Sequence, residues 1–156
     1  MTKFGLDSSC VNSEILALGV CSSNLVELVS AYASISNGGY LVNPYTLVYI
    51  KGKNKLLYER ESWDLIKISD EKSILTLDNM LESAVKQGTG KKAFVKGKDI
   101  KGKTGTTQNG RDAYFIGYDN NLVIGVWVGY DDERYTNITG GGLPAEIFKE
   151  IMEVIN

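Results

Sequence analysis

GKDIKGKTGTTQNG, running from Gly97 to Gly110, is the stretch whose reading decides the fold. Gly97, Gly102, Lys103 and Thr104 satisfy the G-x-x-x-x-G-K-T spacing of a phosphate-binding loop. Such a loop needs a helix that begins directly behind the lysine, so that its N-terminal amides face the anion. Here the seven residues after Lys103 hold two glycines and three threonines, which is poor helix. Val126 to Asp131 imitates the strand and aspartate that hold magnesium in nucleotide hydrolases. Between the two segments, however, lie only a strand and a tight turn, with no room for a helical crossover. The spacing instead predicts an extended segment over residues 100–107. Alternation then sends Lys103 and Gly105 to one side and Thr104 and Thr106 to the other.

Outward from that strand, the pattern is regular. Asp112 to Tyr118 and Leu122 to Tyr130 are two strands joined across Asp119-Asn120-Asn121, a turn short enough to require antiparallel pairing. Both are apolar on both faces, so layers are expected on both sides of the sheet. Upstream, Asn24 and Glu27 mark a helix start, Leu25, Leu28, Val29, Tyr32 and Ile35 follow at helical spacing, and Asn37-Gly38-Gly39 ends the run. Thr46 to Ile50 and Leu56 to Arg60 flank Gly52-Lys53-Asn54 as a hairpin. Ser69 is expected to cap a second helix with Asp70 and Glu71 in its first turn. Ile74, Leu77, Leu81, Ala84 and Val85 line one face of that helix, and Gly88-Thr89-Gly90 stops it. Pro144 opens a last helix, striped by Ile147, Phe148, Ile151, Met152 and Ile155. The order is helix, hairpin, helix, three strands, helix. The fold class is therefore α+β, three layers with an antiparallel sheet between helices.

Composition narrows the function. A chain of 156 residues is about one domain, and its apolar content of 43% with only two prolines is that of a globular chain. A net charge of -2 argues against nucleic acid, whose phosphates are neutralised by surplus Lys and Arg. Six of the thirteen residues from Lys91 to Lys103 are lysine; they read as a solvated loop, or as a positive rim that attracts a carboxylate substrate. No apolar run reaches membrane-spanning length and no signal segment opens the chain, so any anchor is expected outside it. Cys10 and Cys21 are too few for a disulfide framework and read as small buried residues. Tyr130-Asp131-Asp132 reads as a strand end, without the further ligands a metal needs. No metal or cofactor is expected. Trp127 and Phe115 read as core residues, Arg111-Asp112 as an ion pair ordering a turn, and Asn137 as part of a glycosylation pattern by letters only.

Histidine is absent altogether. That removes a Ser-His-Asp triad, a Cys-His pair and the common zinc sites, and leaves proton transfer to Lys, Asp, Glu or Tyr. An edge strand at residues 100–107 has its own chemistry. Substrate can add along it as a further strand, Gly105 permits close backbone approach, and the Thr hydroxyls and Lys ammonium are donors suited to a carboxylate.

Five segments carry a resemblance: Glu14 to Pro44, VKQGTGKKA (Val85 to Ala93), KGKTGTTQNGRDAYFIGY (Lys101 to Tyr118), VIGVWVGYDD (Val123 to Asp132) and TGGGLPAEIFKEIM (Thr139 to Met152). A bare Lys-Thr-Gly is a weak signal, but KTGTT followed in order by RDAYFIGY and VWVGYDD is specific. Over nearly its whole length the chain resembles the transpeptidase domain of class A, bifunctional penicillin-binding proteins, whose fold is β-lactamase-like. The resemblance implies an active-site serine acylated by the D-Ala-D-Ala end of a peptidoglycan stem peptide. The acyl group passes to an amine on a neighbouring strand, and β-lactams trap the acyl-enzyme. It also implies a periplasmic or outer-face location on the bacterial cytoplasmic membrane, in a polypeptide that also carries a glycosyltransferase domain.

By that resemblance Lys103 and Thr106 are the catalytic candidates: Lys103 supplies positive charge to the carboxylate and to a cleft hydroxyl, and the Thr106 amide is an oxyanion donor. Lys103, Thr104, Gly105, Thr106, Thr107 and Thr89 are the substrate-binding candidates. A lysine base in such enzymes fits the absence of histidine. The family uses three motifs in the order S-x-x-K, S-x-N, K-T-G. Ser69 to Lys72 matches the first by letters and Ser22 to Asn24 the second, but in reversed order and at helix starts. The nucleophile, its lysine and the S-x-N motif are therefore expected before Met1, making residues 1–156 the C-terminal part of a transpeptidase domain that is inactive by itself. Apolar surface left at the missing boundary is expected to favour self-association. A related serine D,D-peptidase or β-lactamase-like hydrolase, and a non-catalytic module that binds peptidoglycan or a protein, are the alternatives.

Overall fold

The computed structural model describes residues 2–6, 23–61, 65–132 and 134–155; Cys10, Cys21 and Ser22 lie outside them. Helix α1 (Leu25–Ser36) starts where expected: the Asn24 side chain accepts from the Glu27 amide at 2.9 Å. The hairpin β1 (Tyr49–Lys51) and β2 (Leu56–Glu59) is shorter than its sequence suggests. In the second helix, α2 (Glu71–Lys86), the cap is Asp70 rather than Ser69. Its carboxylate takes both the amide and the hydroxyl of Ser73, at 2.9 and 2.7 Å. A carboxylate at this position also gains from the helix dipole, which a serine hydroxyl does not. The Ser73 hydrogen bonds hold the Asp70 carboxyl below its ordinary range.

Three strands follow, β3 (Lys101–Thr106), β4 (Asp112–Tyr118) and β5 (Val123–Gly129), antiparallel in that order, before the last helix α3 (Leu143–Val154). The strand after Lys103 continues through Thr106 with no helix behind the lysine, which removes the phosphate-loop reading. In register, Lys103 faces Ile116, Gly105 faces Tyr114, and Tyr114 faces Trp127.

Helices cover both faces of this sheet, as its two-sided apolarity requires. On one face Phe115, fully buried, meets Phe148 of α3 with ring centroids 4.9 Å apart and planes tilted by 60°. The rings occupy the space left by two glycines: a Cβ on Gly102 would lie 2.6 Å from the Phe115 ring, and one on Gly117 would lie 2.8 Å from both rings. On the other face Tyr118 packs with Ile35, Ile74 and Leu81. Its hydroxyl donates to the Asp78 carboxylate and its ring meets Tyr32 edge-on at 6.4 Å. Burial pushes the Tyr32 phenol up to about 12. Burial, with the Asp78 carboxylate second, raises Tyr118 further.

Two expectations about side chains change here. Trp127 is not a core residue: it is 38% exposed. Its strand face is covered by α1 at Gly125, where Val29 and Leu25 crowd in, and Trp127 lies two residues beyond, with its indole N–H donated to Asp112 at 2.9 Å. The lysine-rich run does more than solvate a loop. Lys98 donates to the Met152 carbonyl at 2.6 Å and to that of Ile155, satisfying the end of α3, and Lys92 pairs with Glu146 at 2.7 Å. The hairpin carries an exposed apolar surface; Tyr49, Leu56, Leu57 and Tyr58 are all exposed, and among the described residues neither strand pairs beyond the other.

Candidate active site

The site is built from β3. Its only strand neighbour among the described residues is β4, and the pairing fixes which backbone groups remain. The Thr107 amide donates to the Asp112 carbonyl at 3.0 Å. Antiparallel ladders alternate hydrogen-bonded and non-bonded pairs, so Gly105 and Lys103 spend their amides and carbonyls on β4. Those of Thr104 and Thr106 point to the outer side of the strand. The Lys103 ammonium, itself exposed, occupies one of these outward groups, donating to the Thr104 carbonyl at 2.7 Å. One edge thus presents an ammonium, an outward amide at Thr106 and two threonine side chains within four residues.

The threonine hydroxyls have defined neighbours. Thr104 Oγ1 is 2.8 Å from Thr89 Oγ1, so the Gly-Thr-Gly turn after α2 joins the strand. Thr106 Oγ1 accepts from the Gly140 amide at 3.1 Å. Thr107 is committed to the following turn: its hydroxyl accepts the Asp112 amide at 2.8 Å and donates to the Asp112 carboxylate at 3.2 Å. Gly105 is glycine without a packing demand. Its φ is not positive, and a Cβ there would meet Tyr114 Cβ at 3.4 Å, an ordinary contact. Space on that side of the strand is therefore open to a ligand.

Gly140 is the opposite case, and sequence reasoning assigned it no role. A Cβ on it would lie 2.2 Å from the Tyr114 carbonyl oxygen and 2.4 Å from that of Gly105. A Cβ on Gly141 would lie 2.3 Å from the Thr89 carbonyl. The turn into α3 is thus pressed onto the backbone of β3, β4 and the Thr89 loop. Three consecutive glycines before a helix-opening proline are the signal for such an approach, since a turn alone does not need all three.

Of the other two letter matches, Ser22 lies outside the described residues and the rest have local partners. Ser23 and Asn24 are engaged at the start of α1, the Ser23 hydroxyl on Glu27 at 2.8 Å. Ser69 precedes α2 and packs on Gly39, whereas Thr89 follows the same helix. The 16-residue α2 that lies between them is about 24 Å long at 1.5 Å per residue. Ser69 and Lys103 are not brought together.

A family model described as the penicillin binding protein transpeptidase domain matches residues 2–153. Penicillin-binding protein 1A of Rickettsia typhi is 31% identical, over 96% of this chain and 22% of that protein. Penicillin-binding protein 1A of Aquifex aeolicus is 30% identical, over 90% of this chain and 20% of that protein. Among solved structures, penicillin-binding protein 1A from Haemophilus influenzae superimposes with a TM-score of 0.82 at 25% identity, over 99% of this chain and 30% of that one. PonA1 from Mycobacterium tuberculosis, solved in complex with penicillin V, gives 0.78 at 25% identity, over 90% of this chain and 40% of that one. The chain spans about a fifth of the length of the curated relatives it matches.

Proposed function

We propose that this chain, which belongs to the penicillin-binding protein transpeptidase family and has its β-lactamase-like fold, supplies the substrate-binding strand of a serine D,D-transpeptidase. In this reading a stem peptide ending in D-Ala-D-Ala lies along the outer side of β3. Its terminal carboxylate is held by the Lys103 charge and the Thr104 and Thr106 hydroxyls, and Gly105 lets its backbone approach. A serine oxygen adds to the penultimate D-Ala carbonyl, and the oxyanion that forms accepts a hydrogen bond from the outward amide of Thr106. Loss of one such donor costs about 3 kcal/mol of transition-state stabilisation. Collapse of the adduct breaks the peptide bond and expels D-alanine. The amine of a second stem peptide then attacks the acyl-serine, forming the cross-link and freeing the serine. A β-lactam enters the same way but leaves no departing fragment, so the acyl-enzyme persists. Thr107 closes the strand's following turn, and Thr89 supports the cleft wall.

The observation that carries the reading is the outward set on β3: the Lys103 ammonium, the Thr106 amide and the two threonines on one strand edge. The serine, its lysine base and the S-x-N motif are assigned to polypeptide outside residues 1–156, with the membrane anchor and glycosyltransferase domain, on the outer face of the cytoplasmic membrane. Two facts support this: the 16-residue helix α2 lies between Ser69 and the Thr89 that meets Thr104, and Ser23 and Asn24 are committed to capping. The exposed apolar hairpin gives the isolated chain a surface for self-association, which a strictly monomeric light-scattering mass contradicts.

The test is labelling with a fluorescent penicillin. The complete polypeptide is expected to be acylated on a serine outside residues 1–156, and the isolated chain not at all. A covalent adduct on the isolated chain that disappears with Ser69→Ala refutes the assignment.

A further inference from the structure

The hydrogen bonds behind the strand specify more than its shape. A hydroxyl has one proton to give and two lone pairs to receive. Thr106 Oγ1 receives the Gly140 N–H at 3.1 Å, so the strand's contact with the glycine turn consumes a lone pair and leaves the proton. Thr104 Oγ1 and Thr89 Oγ1 are 2.8 Å apart and either can be the donor. A single proton lies between those two oxygens, and the hydroxyl that receives it keeps its own. A carboxylate placed against Thr104 selects the arrangement in which Thr89 donates inward and Thr104 donates outward, a chain in which each bond strengthens the next.

Thr89 is held firmly enough to do this. The Gly90 amide is bonded to the Ala84 carbonyl at 3.0 Å, fixing the loop to the end of α2. Gly141 sits so close to the Thr89 carbonyl that even a methyl group is excluded. The Thr89 backbone is thus held by two elements, and its hydroxyl meets the strand across 15 residues of sequence.

We propose that Thr89 and the Gly140 amide are positioning groups that direct the Thr104 and Thr106 hydroxyl protons outward, converting two threonines into a paired donor for the substrate carboxylate. This rests on the reading of β3 as the carboxylate-binding strand. Thr89 does not touch the substrate; it acts through Thr104. Its contribution is confined to ligands that carry a carboxylate at that place, and to the binding step more than to acyl transfer.

The complete polypeptide with Thr89→Val, Thr89→Ser, Thr89→Cys and Thr104→Val provides the test. Two donors are compared, a D-Ala-D-Ala-terminated stem peptide and the same peptide with its C-terminus amidated. Loss of one neutral hydrogen bond is expected to raise KM for the acid peptide about five- to tenfold in Thr89→Val, with kcat little changed. Thr89→Ser, which keeps the donor, is expected to match wild type, and Thr89→Cys, a weak donor of similar volume, to fall between. KM for the amide peptide is expected to be unmoved by any Thr89 variant. Equal KM for the acid peptide in wild type and Thr89→Val overturns the proposal. So does an equal loss for acid and amide, or failure of Thr89→Ser to restore binding. If Thr89→Val unfolds, the Ser and Cys variants carry the decision. If Thr104→Val also leaves acid and amide undistinguished, the carboxylate assignment of β3 fails, a separate outcome.

Discussion

Gly140→Ala is the substitution whose consequences follow most directly from the structure. The added Cβ would sit 2.2 Å from the Tyr114 carbonyl oxygen, 2.4 Å from that of Gly105 and 2.8 Å from the Gly105 nitrogen. All three are backbone atoms of paired strands, so none can rotate away. Ordinary contact begins at 3.4 Å, and the turn must therefore retreat by about 1.2 Å, the difference between that distance and the shortest clash. A hydrogen bond that is 3.1 Å long in place, Gly140 to Thr106, does not survive such a retreat. Overpacking of this kind costs about 1–3 kcal/mol, to be read from the midpoint of urea unfolding. In the complete polypeptide a shift of about 1 Å in a group proposed to position substrate is expected to lower acylation by roughly a hundredfold. Gly105→Ala is the contrasting variant. Its Cβ meets Tyr114 at an ordinary 3.4 Å, so stability should change by less than about 0.5 kcal/mol while acylation falls, because the methyl group occupies the approach of the ligand. Unchanged stability in Gly140→Ala, or equal destabilisation by the two alanines, refutes the packing on which the site rests.

Two further outcomes are expected. Phe115→Ala removes a fully buried ring tilted against Phe148 and should cost about 3–5 kcal/mol by chemical denaturation; a loss under about 1 kcal/mol would mean that this face of the sheet is not packed as described. Tyr32 gives the chain an alkaline limit. Its folded phenol titrates at about 12 against 10.0 when unfolded, so the folded state holds its proton longer. The stabilisation is complete below pH 10 and is lost as pH rises toward 12, amounting to about 3 kcal/mol at 1.36 kcal/mol per unit. Tyrosinate absorbance during an alkaline titration, compared with Tyr32→Phe, measures this. An identical stability profile in the two proteins contradicts it.

Much of this architecture is legible in sequence because it is local. Asn24 with Glu27, the glycines after α1 and α2, and Pro144 in the first turn of α3 each mark an end that depends on residues within one helical turn. The Lys103 to Thr107 strand is legible for the same reason, since threonines and glycines exclude the competing helix. What escapes depends on contacts between distant segments. Trp127 is exposed two residues beyond Gly125, where Val29 and Leu25 of α1 meet the sheet, and no periodicity states where a neighbouring helix's cover lies. Asp70 displaces Ser69 as a cap although both residues suit the position, so the boundary moves by one. Lys98 on α3 and Gly140 on Thr106 join residues 54 and 34 positions apart. Their side-chain chemistry is ordinary, and only the tertiary fold reveals its use.

The central claim is that the Lys103 edge recognises a carboxylate in an acyl-serine transpeptidase. Its most direct measurement is the second-order rate of acylation of the complete polypeptide by a penicillin and by the corresponding penicillin methyl ester, with and without Lys103→Gln. Removal of a charge-assisted contact worth about 1.5–3 kcal/mol predicts a fall of roughly 10- to 100-fold for the free acid, with a much smaller change for the ester. Equal rates for the acid in both proteins, or the same loss for acid and ester, would contradict it.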